Sequence, residues 1–360
     1  MATRLFLVRH AHADWQPDEG RPLSLRGRSD ARRVAGLLTP VRPRAVYSSP
    51  SRRALETVED LARRCSLEPS LRSDLREREL PPVAPERFGA VVRASWDEPG
   101  RPAVAGGESN RAARARGRAA ILDIASRHPG ESVVVATHGH LLALALGALD
   151  PAYGFSFWRS LTFPDVYEVV IEGESPAAVS RTWTEALPVL ETERLLLRPL
   201  STDDARFILE LVNDPSFIRN IGDRKVRSTV DARHYIRFRA MRTYERQGIG
   251  THAVVLKDSG HCIGICGLLK RDQLDHHDIG FAFLPRYWSK GYAFESAAGV
   301  LEHAREVLDL KRVLAFTALE NAASIALLGK LGFAFEETVP FEGEEVRLFG
   351  RDLGSSAPAG

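Results

Sequence analysis

Short apolar runs alternate with segments of helical periodicity along the first half of the chain. Four runs predict buried strands: 4–8, 45–48, 132–136 and 166–171. Apolar residues recur at the spacing i, i+3, i+4, i+7 between them, in four segments: those after Ser24 and Pro50, 109–128 and 141–149. Strands that alternate with helices form βαβ units. We therefore predict an α/β fold, with a mostly parallel sheet in a three-layer α/β/α arrangement.

Changes in the pattern also predict the domain boundaries. Residues 69–108 are rich in proline and glycine, which favours loops with one short helix. The pattern fades after Gly173, and a strand at 179–184 closes a first domain of residues 1–184. Residues 185–190 are predicted as a linker. A second domain spans 191–352, and the small, polar segment 353–360 is predicted as a disordered tail.

The second half mixes strands and helices without regular alternation. Seven strands are predicted: 192–199, 252–257, 261–268, 279–284, 312–317, 333–338 and 345–351. The second and third of them are joined by a hairpin turn at 257–260. Four helices are predicted: one from Asp203, one over 230–246, one from about 293 to 308, and one over 321–331. The second domain is therefore a mixed α/β sheet.

Composition and charge fit a protein of two ordinary globular domains. The chain has 360 residues, of which 44% are hydrophobic and 27% charged, and its net charge of +2 gives no reason to expect nucleic acid or a membrane as a partner. No apolar run approaches the roughly 20 residues that a membrane helix needs, and no signal peptide is predicted. Three cysteines, Cys65, Cys262 and Cys266, form no disulfide framework, so we expect a cytoplasmic protein.

The chemistry of the first domain is expected where two predicted strands end on a histidine. His10 follows the first strand and His138 follows 132–136, and open α/β sheets build their sites at such carboxyl ends. A neutral imidazole can attack phosphorus and form a phosphohistidine. Guanidinium groups such as those of Arg9 and Arg53 bind phosphate oxygens through two parallel hydrogen bonds. Glu77 can supply the proton that the leaving oxygen needs.

Five segments, in order, resemble the histidine phosphatase (phosphoglycerate mutase-like) superfamily. They are Leu-Val-Arg9-His10-Ala, Ser-Ser-Pro-Ser-Arg-Arg53-Ala-Leu-Glu-Thr57, Leu-Arg-Glu77, Gly-Gly-Glu-Ser109 and Thr-His138-Gly, and the similarity covers residues 3–184. The resemblance implies that His10 is the nucleophile and that Arg9, Arg53 and His138 bind the phosphoryl group. It also implies Glu77 as the proton donor and a reaction that needs no metal. Glu79 competes with Glu77 for this role.

Some residues depart from that family pattern and leave alternatives open. Ala11 stands where the family usually has glycine, and the short interval between Glu77 and His138 leaves little room for a mutase cap. The short form resembles phosphatases that act on phosphohistidine or on small phosphate esters. A rival interpretation takes His10-Ala-His12 and His138-Gly-His140, with Asp14, as ligands of a metal-dependent hydrolase.

A second chemistry is predicted at residues 288–293, between a strand and a helix. Small residues there allow backbone N–H groups to approach an anion, and a helix N-terminus favours negative charge. This loop, the segment from Asn321 to Phe333 and the opening Thr192-Glu-Arg-Leu-Leu-Leu-Arg-Pro resemble the GNAT acetyltransferases of the ribosomal-protein N-terminal acetyltransferase type, over residues 191–351. The resemblance implies acetyl-CoA as co-substrate, held by two sets of residues: Trp288, Ser289, Lys290, Gly291, Tyr292 and Ala293 at the pyrophosphate, and Asn321 and Ser324 along the pantetheine.

The proton transfers of the second site are less defined by the sequence. Leu328 occupies the position at which many relatives have a tyrosine acid, so Ser324 or water is expected to serve instead. Four residues are candidates for the base: Asp278, His276, His277 and Glu295.

The two resemblances together predict a bifunctional enzyme. One domain hydrolyses a small phosphate ester or a phosphohistidine protein, and the other acetylates an amine on a protein N-terminus or a small molecule. In the alternative interpretation, only one domain is catalytic and the other binds or regulates; Ala11 and Leu328 are the departures that permit it.

Overall fold

The computed structural model describes residues 2–14, 20–173, 175–341 and 343–354. The chain divides into two compact units, Met1–Thr184 and Glu185–Gly360. Most of the tail predicted at 353–360 lies outside the described residues. None of the helices in the described ranges combines the length and apolarity that crossing a bilayer requires.

Strands and helices alternate through the first unit. The strands are β1 (Thr3–Arg9), β2 (Ala45–Ser48), β3 (Ser70–Leu71), β4 (Ser132–Thr137), β5 (Asp165–Glu172) and β6 (Ser175–Arg181). The helices are α1 (Leu25–Leu38), α2 (Arg52–Arg64), α3 (Pro85–Asp97), α4 (Asn110–Arg127), α5 (Gly139–Leu149) and α6 (Phe155–Ser160). Ser24 caps α1 as its sequence position predicted, since its side chain accepts a hydrogen bond from the Gly27 N–H.

The sheet of the first unit has the strand order β3-β2-β4-β1-β5-β6. Its first four strands pair in parallel, and β5 pairs antiparallel with both of its neighbours. Leu5 and Leu7 of β1 pack in one core cluster with α4 and α5. Phe6 and Val8, which alternate with them, are equally buried and face the layer of α1 and α2. Burial on both faces gives the predicted three-layer α/β/α fold.

The second unit is built on one long mixed sheet. Its strands are β7 (Leu190–Glu191), β8 (Leu195–Pro199), β9 (Thr251–Leu256), β10 (Cys262–Leu269), β11 (His277–Phe283), β12 (Arg312–Ala318), β13 (Ala334–Phe341) and β14 (Glu344–Asp352). Their order is β13-β14-β12-β11-β10-β9-β8-β7. The helices are α7 (Ala205–Val212), α8 (Pro215–Ile221), α9 (Thr229–Tyr235), α10 (Arg242–Gln247), α11 (Tyr292–Glu306) and α12 (Ala322–Lys330). All pairs are antiparallel except β11 with β12.

Two predicted helices of the second unit are interrupted. The helix predicted from Asp203 begins with a 3-10 turn, Thr202–Asp204, before α7, and α8 is a separate helix that Asp214 caps and that has Pro215 at its first position. The helix predicted over 230–246 contains a π-helical turn, Ile236–Met241, between α9 and α10. The segment predicted as a linker is partly ordered, since Val189 is buried and its N–H donates to the Leu197 carbonyl.

Candidate active sites

The first candidate site lies where β1 and β4 end. These strands are parallel neighbours, and Arg9 pairs with Thr137 at the last position of their ladder. His10 and His138 therefore leave the sheet side by side, with ring centroids 5.2 Å apart. The backbone N–H of His10 donates to the Thr137 carbonyl at 3.0 Å, which fixes the ends of the two strands to each other. The sheet thus brings together two histidines that are more than a hundred residues apart in sequence.

Hydrogen bonds define which nitrogen of His10 is available. Its Nδ1 lies 2.7 Å from the Ala11 carbonyl oxygen, which can only accept, so Nδ1 carries the hydrogen. Its Nε2 accepts from Arg53 Nε at 3.2 Å. Burial lowers the pKa of His10 to about 3; the hydrogen bond to Ala11 opposes this shift, while Arg53 and Arg9 add to it. His10 is therefore a neutral imidazole at ordinary pH, with a lone pair on Nε2.

Arg53 joins the two histidines through one guanidinium group. Its Nη2 lies 3.1 Å from His138 Nδ1, and because a guanidinium only donates, that nitrogen of His138 is the acceptor. His138 Nε2 donates to Ser49 Oγ at 2.8 Å. Burial is the main reason that the pKa of His138 lies well below its usual value, and the nearby His10 and Arg53 add to the effect. Both rings are therefore neutral beside a fixed cation.

Arg9 places a second cation at the same edge of the sheet. Its Nη1 donates to the Leu161 carbonyl at 2.8 Å, and its guanidinium carbon lies 3.4 Å from the centre of the Phe163 ring. Burial lowers the pKa of Arg9 to about 10, so it keeps its charge at neutral pH. A Cβ atom added to Gly139 would lie 2.9 Å from Arg9 Nε. Glycine after His138 is therefore what allows Arg9 to lie over the start of α5.

Glu77 contacts the N-terminus of α5, the helix that begins directly after His138. Its carboxylate accepts hydrogen bonds from the His140 N–H at 3.2 Å and the Leu141 N–H at 3.0 Å. A carboxylate in the first turn of a helix interacts favourably with the helix dipole. Glu79, the competing candidate, lies in a loop whose backbone pairs with Glu108 instead. The structure thus brings His10, His138, Arg9, Arg53 and Glu77 to one edge of the sheet.

The histidines proposed as metal ligands have other contacts. His12 Nδ1 lies 2.8 Å from Ser24 Oγ, and the His140 ring lies against Trp158 with centroids 4.4 Å apart. Burial lowers the pKa of His140 to about 4. Among the described residues, no group of three or more His, Cys, Asp or Glu side chains is arranged to hold a metal ion.

Two residues near His10 received no role from the sequence. Thr57 Oγ1 accepts from the Ala11 N–H at 2.9 Å and donates to the Arg53 carbonyl, so it links the segment that follows His10 to α2. A polar residue on the buried face of a predicted helix was the signal for it. Phe163, which also lies 5.4 Å from the His10 ring, had no such signal, because its contacts come from a distant loop. Ala11 is fully buried in a small apolar cluster with Leu23 and Ala31.

The second candidate site lies where two parallel strands separate. The β11–β12 ladder contains two residue pairs, His277 with Val313 and Asp278 with Leu314. Beyond Asp278 the strands part, which leaves facing backbone N–H and C=O groups that do not bond to each other. An extended, amide-bearing chain such as the pantetheine of CoA can pair with such edges.

The loop at 288–291 leads from this region into α11. Ser289 and Gly291 both have positive φ angles, of 59° and 84°. Left-handed residues turn successive N–H groups toward one side, and the first N–H groups of a helix have no partner within it. Trp288 donates its indole N–H to the Phe283 carbonyl at 2.8 Å, while Lys290 is exposed. The loop therefore fits a pyrophosphate.

Glu295 ties this loop to the start of the unit. Its carboxylate accepts from the Thr192 hydroxyl at 2.6 Å, the Arg194 N–H at 2.8 Å and the Arg194 guanidinium at 2.6 Å. Arg194 also donates to the Lys290 carbonyl and lies 4.6 Å from the centre of the Tyr292 ring. Burial raises the pKa of Glu295, but the hydrogen bonds from Thr192 and Arg194 outweigh it and hold the pKa below its usual value. Glu295 was one of the four candidates for the base, but its carboxylate oxygens are already occupied by these hydrogen bonds.

Asn321 and Ser324 lie at the N-terminus of α12, just after β12. The Asn321 side chain accepts from the Ser324 N–H at 3.1 Å and caps the helix. Leu328 is buried in the unit's core. Of the base candidates, Asp278 stands at the point where β11 and β12 part, with Arg271 at 3.0 Å. Burial raises its pKa, although Arg271 opposes the shift. Burial lowers the pKa of His277, and His276 is exposed.

Comparisons with known proteins match both units. The model of the histidine phosphatase superfamily (branch 1) matches residues 5–185, and that of the acetyltransferase (GNAT) domain matches residues 194–334. Phosphoglycerate mutase-like protein 4 of Arabidopsis thaliana is 33% identical over 159 residues, 38% of this chain and 67% of that protein. The uncharacterized N-acetyltransferase YoaA of Bacillus subtilis (strain 168) is 31% identical over 150 residues, 41% of this chain and 84% of that protein. A mycobacterial glucosyl-3-phosphoglycerate phosphatase structure is 25% identical, with a TM-score of 0.43, and covers 51% of this chain and 98% of that one.

The chain belongs to the histidine phosphatase superfamily over its first unit and to the GNAT acetyltransferases over its second. It is a two-domain enzyme that combines a phosphatase with an acyltransferase. The GNAT domain implies the use of acetyl-CoA, which the loop at 288–291 and the parting of β11 from β12 fit.

Proposed function

We propose that the chain hydrolyses a phosphomonoester or a phosphohistidine through a covalent intermediate on His10, and that it N-acetylates an amine with acetyl-CoA. One observation carries the first proposal: His10 Nε2 is a neutral, hydrogen-bond-accepting nitrogen that faces the Arg53 guanidinium at 3.2 Å. A lone pair beside a cation is the arrangement that attack on an anionic phosphoryl group requires.

The phosphoryl transfer has two balanced steps. His10 Nε2 forms a bond to phosphorus as the ester P–O bond breaks, and the Glu77 carboxyl gives its proton to the leaving oxygen. Water then attacks the phosphohistidine, the P–N bond breaks, and Glu77 takes up the proton of the water. Arg9 and Arg53 donate hydrogen bonds to the phosphoryl oxygens throughout, and His138 joins them by exchanging its Nε2–H bond to Ser49 Oγ for one to a phosphoryl oxygen. No metal enters either step.

The acetyl transfer uses residues of the second unit. Acetyl-CoA supplies a thioester carbon that a free amine can attack. Residues 288–293 bind its pyrophosphate, and Asn321 and Ser324 lie along the pantetheine and thiol end. Asp278 stands where the strands part, and its raised pKa suits acceptance of the proton from the amine. Ser324 or water protonates the thiolate, because Leu328 has no proton to give. The amine acceptor is a protein N-terminus or a small molecule.

Two competing functions predict different behaviour. If the His-x-His pairs held a catalytic metal, a chelator would abolish phosphatase activity and a divalent ion would restore it. If one unit were only a binding or regulatory module, one of the two activities would be missing from the full chain.

The three free thiols support a reducing, cytoplasmic setting.

The proposal is tested by measuring both reactions on the full-length protein. Phosphate release from a panel of esters should persist in EDTA and disappear in His10→Ala. Acetyl-CoA should raise the melting temperature of the wild type and of His10→Ala alike. Unchanged phosphate release by His10→Ala would refute the first function. An absent thermal shift in both proteins would refute the second.

A further inference from the structure

A cavity of about 540 Å³ opens beside the phosphatase site. Arg9, Leu161 and Phe163 are among the residues that line it. Arg9 lies against the Phe163 ring, and that ring lies 5.4 Å from His10. The organic part of an ester whose phosphoryl group is held by His10 and Arg9 therefore has this cavity next to it. The volume falls in the range of pockets that bind small molecules.

The cavity walls are mainly aromatic. Phe155 and Trp158, both on α6, lie nearly parallel, with their rings 26° and 5.8 Å apart. Trp158 also lies against the buried His140 ring, with the ring centroids 4.4 Å apart, which holds the indole in place. Phe155 is flanked in turn by the guanidinium of Arg93, 4.8 Å from its ring centre. Trp158 and Phe155 are therefore held in place, and the guanidinium of Arg159, which also lines the cavity, lies 5.9 Å from the centre of the Phe155 ring.

The chemistry of the lining discriminates between kinds of substrate. Its polar side chains are the guanidinium groups of Arg9 and Arg159 and the Trp158 indole, and none of the lining residues carries a carboxylate, amide or hydroxyl side chain. A neutral polyol needs acceptors for its hydroxyl groups, which lose their hydrogen bonds to water on binding, and none of the lining side chains accepts a hydrogen bond. Flat aromatic groups need no such partners and gain from offset or edge contacts with Trp and Phe rings. A protein-bound phosphohistidine offers only one small ring.

We propose that the preferred phosphatase substrate is a phosphomonoester whose organic group is aromatic, and that this group binds against Trp158, Phe155 and Phe163. The proposal rests on the proposed phosphatase function. Gly89 on α3 borders the cavity, and a Cβ atom added there meets no atom within 4 Å. A larger side chain at Gly89 therefore has room at the cavity and does not disturb α3, because a helix favours leucine over glycine.

The test compares two alkyl phosphates, 2-(2-naphthyl)ethyl phosphate and ethyl phosphate, with the full-length protein. Their leaving groups are both primary alcohols, so the ratio of their kcat/KM values reports binding of the ring. Burial of a naphthyl ring should favour the first substrate by about 50-fold. Gly89→Leu and Trp158→Leu should each reduce this ratio by about fivefold or more. Phe88→Leu, at an exposed position beside Gly89 on α3, is the control and should keep the wild-type ratio.

The outcomes separate this proposal from the proposed function. A wild-type ratio near one, or a ratio that Gly89→Leu and Trp158→Leu leave intact, overturns the aromatic-substrate proposal while phosphatase activity stands. If neither ester is hydrolysed faster by wild type than by His10→Ala, the phosphatase function itself fails. Binding of 2-(2-naphthyl)ethylphosphonate, which cannot be hydrolysed, then still tests the cavity. If ethylphosphonate bound the enzyme as tightly as 2-(2-naphthyl)ethylphosphonate, the proposed preference for aromatic groups would be overturned by this measurement as well.

Discussion

At the scale of single residues, the absence of a side chain at Gly139 is as specific as the presence of one at His10. Arg9 lies directly over Gly139, and the guanidinium would have to move away from any Cβ atom at that position. The sequence motif Thr-His-Gly thus has a steric explanation. Its glycine keeps the buried cation within reach of the phosphoryl group that His10 is proposed to accept.

Gly139→Ala should lower kcat/KM for phosphate esters by about tenfold or more, because the added methyl group displaces Arg9, which is proposed to bind the phosphoryl group. Steady-state kinetics measures the loss. Gly36→Ala, in the interior of α1, is the matched control, since its added Cβ meets no atom within 4 Å. It should leave activity unchanged. Equal activity of the Gly139→Ala enzyme and the wild type would show that Arg9 is not held by this contact.

Glu77→Gln should separate proton donation from structure. The glutamine oxygen can still accept one of the two hydrogen bonds at the start of α5, but its amide group has no carboxyl proton to give. The rate for alkyl phosphates should fall by roughly 10²–10⁴-fold, the typical value of general acid catalysis. The rate for 4-nitrophenyl phosphate, whose leaving group needs no proton, should fall much less. Glu79→Gln is the control and should hydrolyse both esters as the wild type does. If Glu79→Gln, rather than Glu77→Gln, lost activity mainly toward alkyl phosphates, Glu79 would be the proton donor.

At the scale of secondary-structure elements, the position of the loop at 288–291 depends on Glu295, a residue that the sequence suggested as a base. Glu295 lies on α11, yet it receives three hydrogen bonds from the segment that begins the unit. Arg194 extends the connection to the Lys290 carbonyl within the loop. Glu295 is thus a positioning residue for the backbone that is proposed to hold the pyrophosphate.

Glu295→Ala should weaken acetyl-CoA binding by about tenfold, because loss of these hydrogen bonds to a charged group frees the loop. Calorimetry of acetyl-CoA binding gives the affinity directly. Glu302→Ala, an exposed carboxylate on the same helix, should bind as the wild type does. Glu295→Ala could instead bind acetyl-CoA as tightly as the wild type but transfer the acetyl group slowly, with the rate recovering as pH rises. That result would show that Glu295 acts in proton transfer.

The elements themselves were largely predictable, and the failures have physical causes. The positions of β4 and α4 were predicted well, because burial determines which of their residues are apolar: nearly all of them in β4 and those on one face in α4. Two-residue strands such as β3 carry too few residues to show any period. The π-helical turn at Ile236–Met241 preserves the apolar pattern of a helix on either side, so the sequence shows no break.

At the scale of the whole molecule, the sequence placed the charged and titratable groups of the first site but not its cavity. His10, His138 and the arginines occupy short motifs tied to strand ends, so local sequence identifies them. The contacts of Phe163 with Arg9 and of Trp158 with His140 depend on how α6 and the loop after it fold back over the sheet. Such long-range packing has no counterpart in local spacing.

The three buried histidines of this site should make stability depend on pH. Burial lowers the pKa values of His10, His138 and His140 below the usual 6.5. Below pH 6.5 the unfolded chain therefore binds protons that the folded chain does not. The free energy of unfolding should decrease as pH falls below 6.5, by roughly 1 kcal/mol per pH unit for each such histidine.

Thermal or urea unfolding of the first unit between pH 7 and 5 measures this slope. His140→Asn should reduce it by the contribution of one proton, because one group that titrates only in the unfolded chain is removed. His261→Asn, at an exposed position of the second unit, is the control. A slope in His140→Asn equal to that of the wild type would contradict the burial of a neutral imidazole at this position.

The central claim, that His10 Nε2 takes up the phosphoryl group, is tested most directly by trapping the intermediate. The full-length enzyme is mixed with a phosphate ester, quenched in alkali because phosphohistidine is unstable in acid, and digested for mass spectrometry. We expect one phosphoryl group on the peptide that contains His10, with NMR assigning it to Nε2, and none in His10→Ala. A phosphoryl group on Nδ1 or on another residue, or turnover with unmodified His10 at every quench time, would contradict the account.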